Sequence, residues 1–312
     1  MPDSSFLAWP FFDERHRDLA ANLQAWCDAT IHDAEASDAD EACRSLVAEL
    51  GRAGFLKLTV GDGQRRPDVR GLALAREILA RHHGLADFAF AMQGLGSGAI
   101  SLFGTVEQKR EWLPRVAGGE AIAAFAMTEP ECGSDAANMA TSAMRDGNEW
   151  VLVGEKTLIS NGGIADFYVT FARTGEGEGA RGLSAFIVPA EAVEVAERIE
   201  VVAPHPLARL RYENARIPAD AIIGEPGEGF RIGMETLNLY EAKTRLSSLV
   251  DKAAAGAEIV IAKNGKPLAK LVPYRDATRR RPGRAKGKVW ISRDFDAPLP
   301  DDVIEAFGGK AE

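Results

Sequence analysis

The sequence predicts an α+β protein built in sections: a helical N-terminal domain, an antiparallel β middle domain, then a small β-α-β-β unit with an extended tail. Three features of the chain carry that prediction. Apolar residues recur at helical spacing through the first 120 residues, short alternating runs divided by polar turns follow Gly118-Gly119, and the charge balance changes sign near Met234. Residues 1–234 hold 22 Lys and Arg against 35 Asp and Glu, a balance of −13, whereas residues 235–312 hold 15 against 11, a balance of +4. The expected sections are therefore 1–120, 121–234, 235–275 and 276–312.

In the first section Leu19, Leu23, Trp26, Cys27 and Thr30 mark one helix, Ala42, Leu46, Val47 and Leu50 a second, and Leu72, Ala75, Ile78 and Leu79 a third. Gly51 and Gly54 punctuate the second, and Gly61 to Arg70 reads as an exposed loop. Gly94-Leu95-Gly96-Ser97-Gly98 follows no strand and lacks dinucleotide-loop spacing, so helix packing explains it better. The β section is expected at Ala121 to Met127, Trp150 to Val153, Phe167 to Phe171, Leu183 to Val188 and Leu207 to Tyr212, with turns at Asp146-Gly147-Asn148 and Thr174 to Gly179. Further on, Asn238 can cap a helix with Glu241 three residues later, and Ala242, Leu246, Leu249, Val250 and Ala253 form its apolar face before Gly256. Glu258 to Ala262 and Pro267 to Val272 are strands joined across Asn264-Gly265, a strong hairpin signal. The basic stretch Arg279 to Arg284 leads into a tail too poor in apolar residues to fold by itself.

The composition, 46% hydrophobic and 27% charged with a net charge of −9 over 312 residues, is that of a globular protein. Cys27, Cys43 and Cys132 are too few and too scattered for a disulfide framework or a metal site. His82, His83 and His205 lack partners at ligand spacing, so surface or packing roles fit them better and no metal is expected. No signal-type start and no apolar run of spanning length is present, which points to a cytoplasmic protein without a membrane partner. The acidic first part carries no electrostatic footprint for nucleic acid, whereas the basic second part does.

Two runs carry chemistry. Met127-Thr128-Glu129-Pro130-Glu131-Cys132-Gly133-Ser134-Asp135 places a hydroxyl at a strand end and a Gly-Ser turn a few residues on; Gly154-Glu155-Lys156-Thr157-Leu158-Ile159-Ser160-Asn161-Gly162-Gly163 offers a second strand-end hydroxyl. A redox flavin needs donors along its ring edge and close backbone approach to its pyrophosphate, and such runs supply both. Taken with Phe103 to Lys109, Gly182 to Val188 and Gly224 to Phe230, they resemble the acyl-CoA dehydrogenase family over about residues 10–238.

The resemblance implies FAD held between a helical N-terminal domain, a β middle domain and a C-terminal four-helix domain, in a homo-oligomer. By position, Phe125, Met127 and Thr128 would lie along the isoalloxazine, with Thr128 donating to its pyrimidine edge. Gly133 and Ser134 would reach the cofactor, and Ser134 the acyl-CoA as well. Ser160 would match the hydroxyl near flavin N5, and Leu158 stands where the family often has an aromatic residue. The implied reaction is α,β-desaturation of an acyl-CoA, in which a carboxylate takes the α-proton. That carboxylate comes from the C-terminal helical domain, which this chain replaces after the first residues of its opening helix. In relatives carrying it on the opening helix, its place falls on Tyr240. Glu241 is one residue off, a turn of about 100°. No catalytic residue is therefore assigned, and desaturation is expected to be impaired.

Lys243, Thr244 and Arg245 open the capped helix, where they can reach phosphate or form a solvated face. Residues from Thr236 to Pro273, with the tail from Gly287 to Asp302, resemble the Phd/YefM-type antitoxins, especially those paired with PIN-domain ribonuclease toxins. The resemblance implies operator-DNA binding, through Lys243 and Arg245 here, and a tail that folds onto the toxin. Trp290, Phe295 and Phe307 are the candidate anchors. Three readings stand: a flavoenzyme scaffold of impaired catalysis joined to an antitoxin module, a working antitoxin with an inert N-terminal passenger, or a fusion in which neither half works.

Overall fold

The first helix, α1 (Glu14–Thr30), buries His16, Ala20, Leu23 and Cys27, spaced by three or four residues so that they share one face. The computed structural model describes residues 4–8, 12–31, 38–61, 68–240, 259–263, 266–271, 290, 292, 295–297 and 303, and the chain divides into two units, Met1–Ser247 and Ser248–Glu312. In α2 (Ala39–Arg52) the Asp38 carboxylate accepts from the Asp40 and Glu41 amides at 2.8 and 3.4 Å, which satisfies helix-end donors. One-turn α3 (Lys57–Val60) follows, then α4 (Val69–His82), again capped by an aspartate, Asp68. The helix periodicities of α1, α2 and α4 are thus realised, although Gly51 lies inside α2 and Val69 and Arg70 already belong to α4. Residues 62–67 of the expected loop lie outside the described residues.

Two further helices complete the first section. The glycine-rich α5 (Gly84–Phe103) is the central one, packed by α2, α3, α4 and α6. Its Gly96 is needed for close approach: a Cβ there would lie 2.6 Å from the Ala123 backbone. The run Gly94 to Gly98 is therefore a packing device. In α6 (Val106–Ala117) a capping box joins Thr105 and Gln108, and the Gln108 amide also donates to the carbonyls of Asp220 and Ile222 at 2.7 and 2.8 Å.

The β section is one 8-stranded sheet containing β1 (Ala123–Ala126), β2 (Ser142–Asp146), β3 (Glu149–Ser160), β4 (Phe167–Arg173), β5 (Leu183–Pro189), β6 (Glu194–Arg198), β7 (Leu207–Pro218) and β8 (Ile222–Ile223). The order is β6-β7-β3-β2-β4-β5-β8, with β1 added on β4. Most pairings are antiparallel, as the sequence predicts, but β1 runs parallel to β4, and β2 touches β4 in parallel at Ser142 and Arg173. Three strands were not foreseeable from apolar runs. In β2 only Ala143 is buried, in β6 no residue is, and β8 has two residues.

A final helix of the first unit, α7 (Gly229–Tyr240), lies on α5, β4 and β5 and buries Ile232 and Thr236. It corrects the expected cap: Asn238 is inside this helix rather than at the start of another, because Phe230, Ile232, Met234 and Leu237 give residues 229–240 an apolar stripe that packs onto the first unit. The opening strand of a β-α-β-β plan is not among the described elements, since the backbone is helical up to Tyr240. No helical bundle follows α7 among the described residues. In the second unit β9 (Ile259–Lys263) and β10 (Lys266–Leu271) pair antiparallel from Lys263↔Lys266 to Ile259↔Leu271, the hairpin pairing the sequence predicts; the expected turn, Asn264-Gly265, lies outside the described residues.

Candidate functional site

The candidate cradle forms where the extension of β1 meets the end of β3. Thr157 N donates to Thr128 O at 2.9 Å, and the Asn161 amide donates to Ala123 O at 2.8 Å. Residues 123–128 and 157–161 therefore pass each other in opposite directions. The half-buried Phe125 packs on Phe171, ring centroids 4.9 Å apart. Opposite this edge the β3–β7 ladder slips between Lys156 and Ile159, and Leu158 takes a left-handed conformation, φ 56°, with its side chain 56% exposed. Ile159 beneath it is buried, and Ser160 closes the strand beside Leu207.

Several hydroxyls of this unit are engaged: Thr170 with Tyr212, Ser184 with Thr174 and the Gly227 amide, Ser97 with Gln93 O. Those of Thr128, Ser134 and Ser160 make no hydrogen bond among the described residues. The free hydroxyls of Thr128 and Ser160 on this edge suit a polar, planar ligand such as a flavin ring system. Of the sequence candidates, Phe125, Met127, Thr128, Leu158 and Ser160 are brought together. Gly133 and Ser134 lie exposed on the loop that follows.

That loop is fixed by residues the sequence reading did not single out. Lys156, with no exposed surface, donates to Met127 O at 3.0 Å and to Glu129 Oε1 at 2.8 Å. Glu129 in turn accepts from the Thr141 amide at 2.9 Å and the Ala140 amide at 2.6 Å. Arg173 holds the far side, donating to the carbonyls of Ala137, Met139 and Gly179 at 2.8, 3.2 and 3.2 Å. Burial pushes Lys156 down to about 8, opposed by the Glu129 charge and its hydrogen bond. Burial acts to raise Glu129, but the Lys156 charge and the Lys156, Thr141 and Ala140 hydrogen bonds outweigh it, leaving the carboxyl below its ordinary value. A signal for Lys156 did exist: Trp150 and Leu152 fall on the inward parity of β3, and Lys156 shares it.

The other candidates lie elsewhere. Trp290 and Phe295 are 86% and 73% exposed, while Lys243, Arg245 and Phe307 lie outside the described residues. His82 accompanies Asp28 at 3.1 Å, His83 caps α5, and His205 packs on Phe88 at 4.6 Å. Among the described residues no His, Cys, Asp and Glu cluster could hold a metal, and no helix is long and apolar enough to cross a membrane.

Comparison with known proteins places both parts. Residues 13–120 match the model of the acyl-CoA dehydrogenase N-terminal domain, residues 124–215 that of its middle domain, and residues 234–282 that of the Phd_YefM antitoxin of type II toxin-antitoxin systems. A "Probable acyl-CoA dehydrogenase" of Mycobacterium leprae is 30% identical over 96% of this chain and 88% of its own length. The corresponding protein of Mycobacterium bovis is 34% identical over 73% of this chain, which spans only 62% of that relative. A glutaryl-CoA dehydrogenase of Mycobacterium smegmatis, solved in complex with FADH2, superposes with a TM-score of 0.64 at 29% identity, covering 85% of this chain and 70% of the other. With its helical domain, its β domain and the convergence of β1 and β3 in place, the chain belongs to the acyl-CoA dehydrogenase family, with a Phd_YefM-type antitoxin domain following from residue 234.

Proposed function

We propose that residues 1–234, as a helical section to 120 and a β section beyond it, form a flavin-binding scaffold that takes FAD and an acyl-CoA but is impaired in desaturation. One observation carries this reading: Thr128, two residues beyond β1, is docked by a backbone hydrogen bond from Thr157 beside the left-handed bulge at Leu158, with the hydroxyls of Thr128 and Ser160 unengaged. FAD, when bound, supplies the hydride acceptor for the β-carbon. Thr128 would donate to the pyrimidine edge of the ring, and Ser160 would offer its hydroxyl near N5. Gly133 lets the backbone approach, and Ser134 would contact the cofactor or the acyl-CoA. Leu158 would cover the ring by apolar contact without stacking. The α-proton acceptor of the family belongs to the C-terminal helical domain, and where relatives carry it on the opening helix its place falls here on Tyr240, which has no carboxylate. Removing so weakly acidic a proton requires a positioned base, so turnover is expected to be lost while flavin is retained.

The purified chain should then show a flavin absorption spectrum, take up added FAD, and form little enoyl-CoA from an acyl-CoA. A colourless protein that takes up no added FAD overturns the binding, and brisk enoyl-CoA formation overturns the impairment.

The second reading concerns residues 235–275 and the tail 276–312. The β9–β10 hairpin, the match from residue 234 and the exposure of Trp290 and Phe295 support an antitoxin-type module. It would bind operator DNA through Lys243 and Arg245 and a PIN-domain ribonuclease through Trp290, Phe295 and Phe307, in a homo-oligomer in the cytoplasm, with residues 1–234 as passenger. A gel shift on the DNA upstream of its own coding sequence, with and without salt, together with co-purification of a co-expressed PIN-domain ribonuclease, tests it. Failure of both removes this reading.

A further inference from the structure

β3 carries a single fully buried charge, the Lys156 ammonium, and all three of its directions are used: the Met127 carbonyl at 3.0 Å, the Glu129 carboxylate at 2.8 Å and the Met139 sulfur at 3.6 Å. One side chain thereby reaches the residue before Thr128, the residue after it, and the far side of the loop. The geometry has a directional consequence. In a trans peptide the carbonyl of one residue and the N–H of the next lie in one plane and point opposite ways. Drawing the Met127 carbonyl inward to Lys156 turns the Thr128 N–H outward, where it finds no acceptor among the described residues. The next peptide is fixed as well, because Thr128 O accepts from Thr157 N at 2.9 Å. Both peptide planes flanking Thr128 are thus set by β3, one through its backbone and one through the Lys156 side chain.

We propose that Lys156, clamped by Glu129, is a positioning residue that aims the Thr128 N–H and hydroxyl at the flavin. This rests on the flavin-binding reading above. The pair touches no cofactor itself, and its role is to hold a donor at a stated orientation. Glu129 serves by keeping the ammonium on the Met127 carbonyl, and the Thr141 and Ala140 amides keep Glu129 in place.

The test uses the full chain with Lys156→Met, Glu129→Gln and, as a control, Arg216→Ala, which removes two exposed ion pairs, from β7 to Glu149 of β3 and to Asp146 of β2. Two quantities are read: FAD affinity with the shape of the bound flavin spectrum, and amide hydrogen exchange without flavin. Lys156→Met should weaken FAD binding at least tenfold and broaden the bound flavin band, as expected when a fixed donor becomes mobile. Glu129→Gln should have an intermediate effect, and the control should behave as wild type. Without flavin, exchange at residues 127–141 should quicken at least tenfold in Lys156→Met while β4 and β5 stay protected; a general loss of stability would quicken all three together.

If the wild type binds no flavin, the functional reading fails, and exchange alone decides whether Lys156 orders the strand end. Wild-type affinity and wild-type exchange in both variants overturn the positioning role. If Lys156→Met does not fold, Glu129→Gln decides by the same two measurements.

Discussion

Lys156 shows how a single residue sets both a cost and an order. Removing one partner of a buried ion pair strands the other charge, so Lys156→Met should lower stability by about 3–5 kcal/mol in denaturant unfolding at neutral pH. The pH dependence has a defined sign. In the folded chain burial brings Lys156 to about 8, whereas the unfolded chain keeps its lysine near the ordinary 10.5, so between these values the unfolded state holds more protons. Stability from this group rises with pH across that window, and the gap between wild type and Lys156→Met should widen from pH 8 upward. Glu129, held below its ordinary carboxyl value, contributes stability that is present above that value and lost as pH falls through the folded one. Melting temperatures measured across pH check both; a gap that narrows above pH 8 contradicts the assignment. At Leu158 the left-handed backbone, φ 56°, costs a leucine about 1–2 kcal/mol, which asparagine largely escapes. Because the side chain is more than half exposed, Leu158→Asn should raise stability by roughly 0.5–1 kcal/mol in urea unfolding. A loss instead would mean that the leucine is packed in solution.

Among the elements, α5 and α7 decide how the sections meet. Ala at position 96 would set a methyl 2.6 Å from the Ala123 backbone, forcing α5 and β1 apart, so Gly96→Ala should cost roughly 1–3 kcal/mol and lower the melting temperature. The helix α7 is claimed twice: it packs on the first unit through Ile232, Met234 and Leu237, and the antitoxin-type match begins at 234, inside it. Amides 234–240 should therefore show helical protection in hydrogen exchange of the full chain, and rapid exchange there would remove α7 from the first unit. Most elements were legible because their apolar residues obey one period. α1, α2 and α4 follow the 3.6-residue period, while β3, β4, β5 and β7 show alternating or continuous apolar runs. β2 and β6 were illegible because they bury almost nothing, and Asn238 misled because a good capping residue can also be a tolerated helix interior when neighbours pack.

For the whole molecule, the balances of −13 up to residue 234 and +4 beyond it distinguish the two parts electrostatically. Any DNA affinity should reside after residue 234 and fall with salt. If Lys243 and Arg245 each contact a phosphate, substituting either by alanine should reduce the slope of log affinity against log salt by about 1. An unchanged slope would exclude those contacts. The sequence by itself determined the section order, the helical and strand periodicities and the pairing of β9 with β10, because these depend on local spacing and side-chain type. Only the tertiary structure decided that β1 runs parallel to β4, that Asn161 ties the end of β3 to Ala123, and that Lys156 is buried against Glu129 and Met127. The periodicity of a strand reveals which face is turned inward, but what that face meets is set by residues distant in the chain, and only packing brings them together.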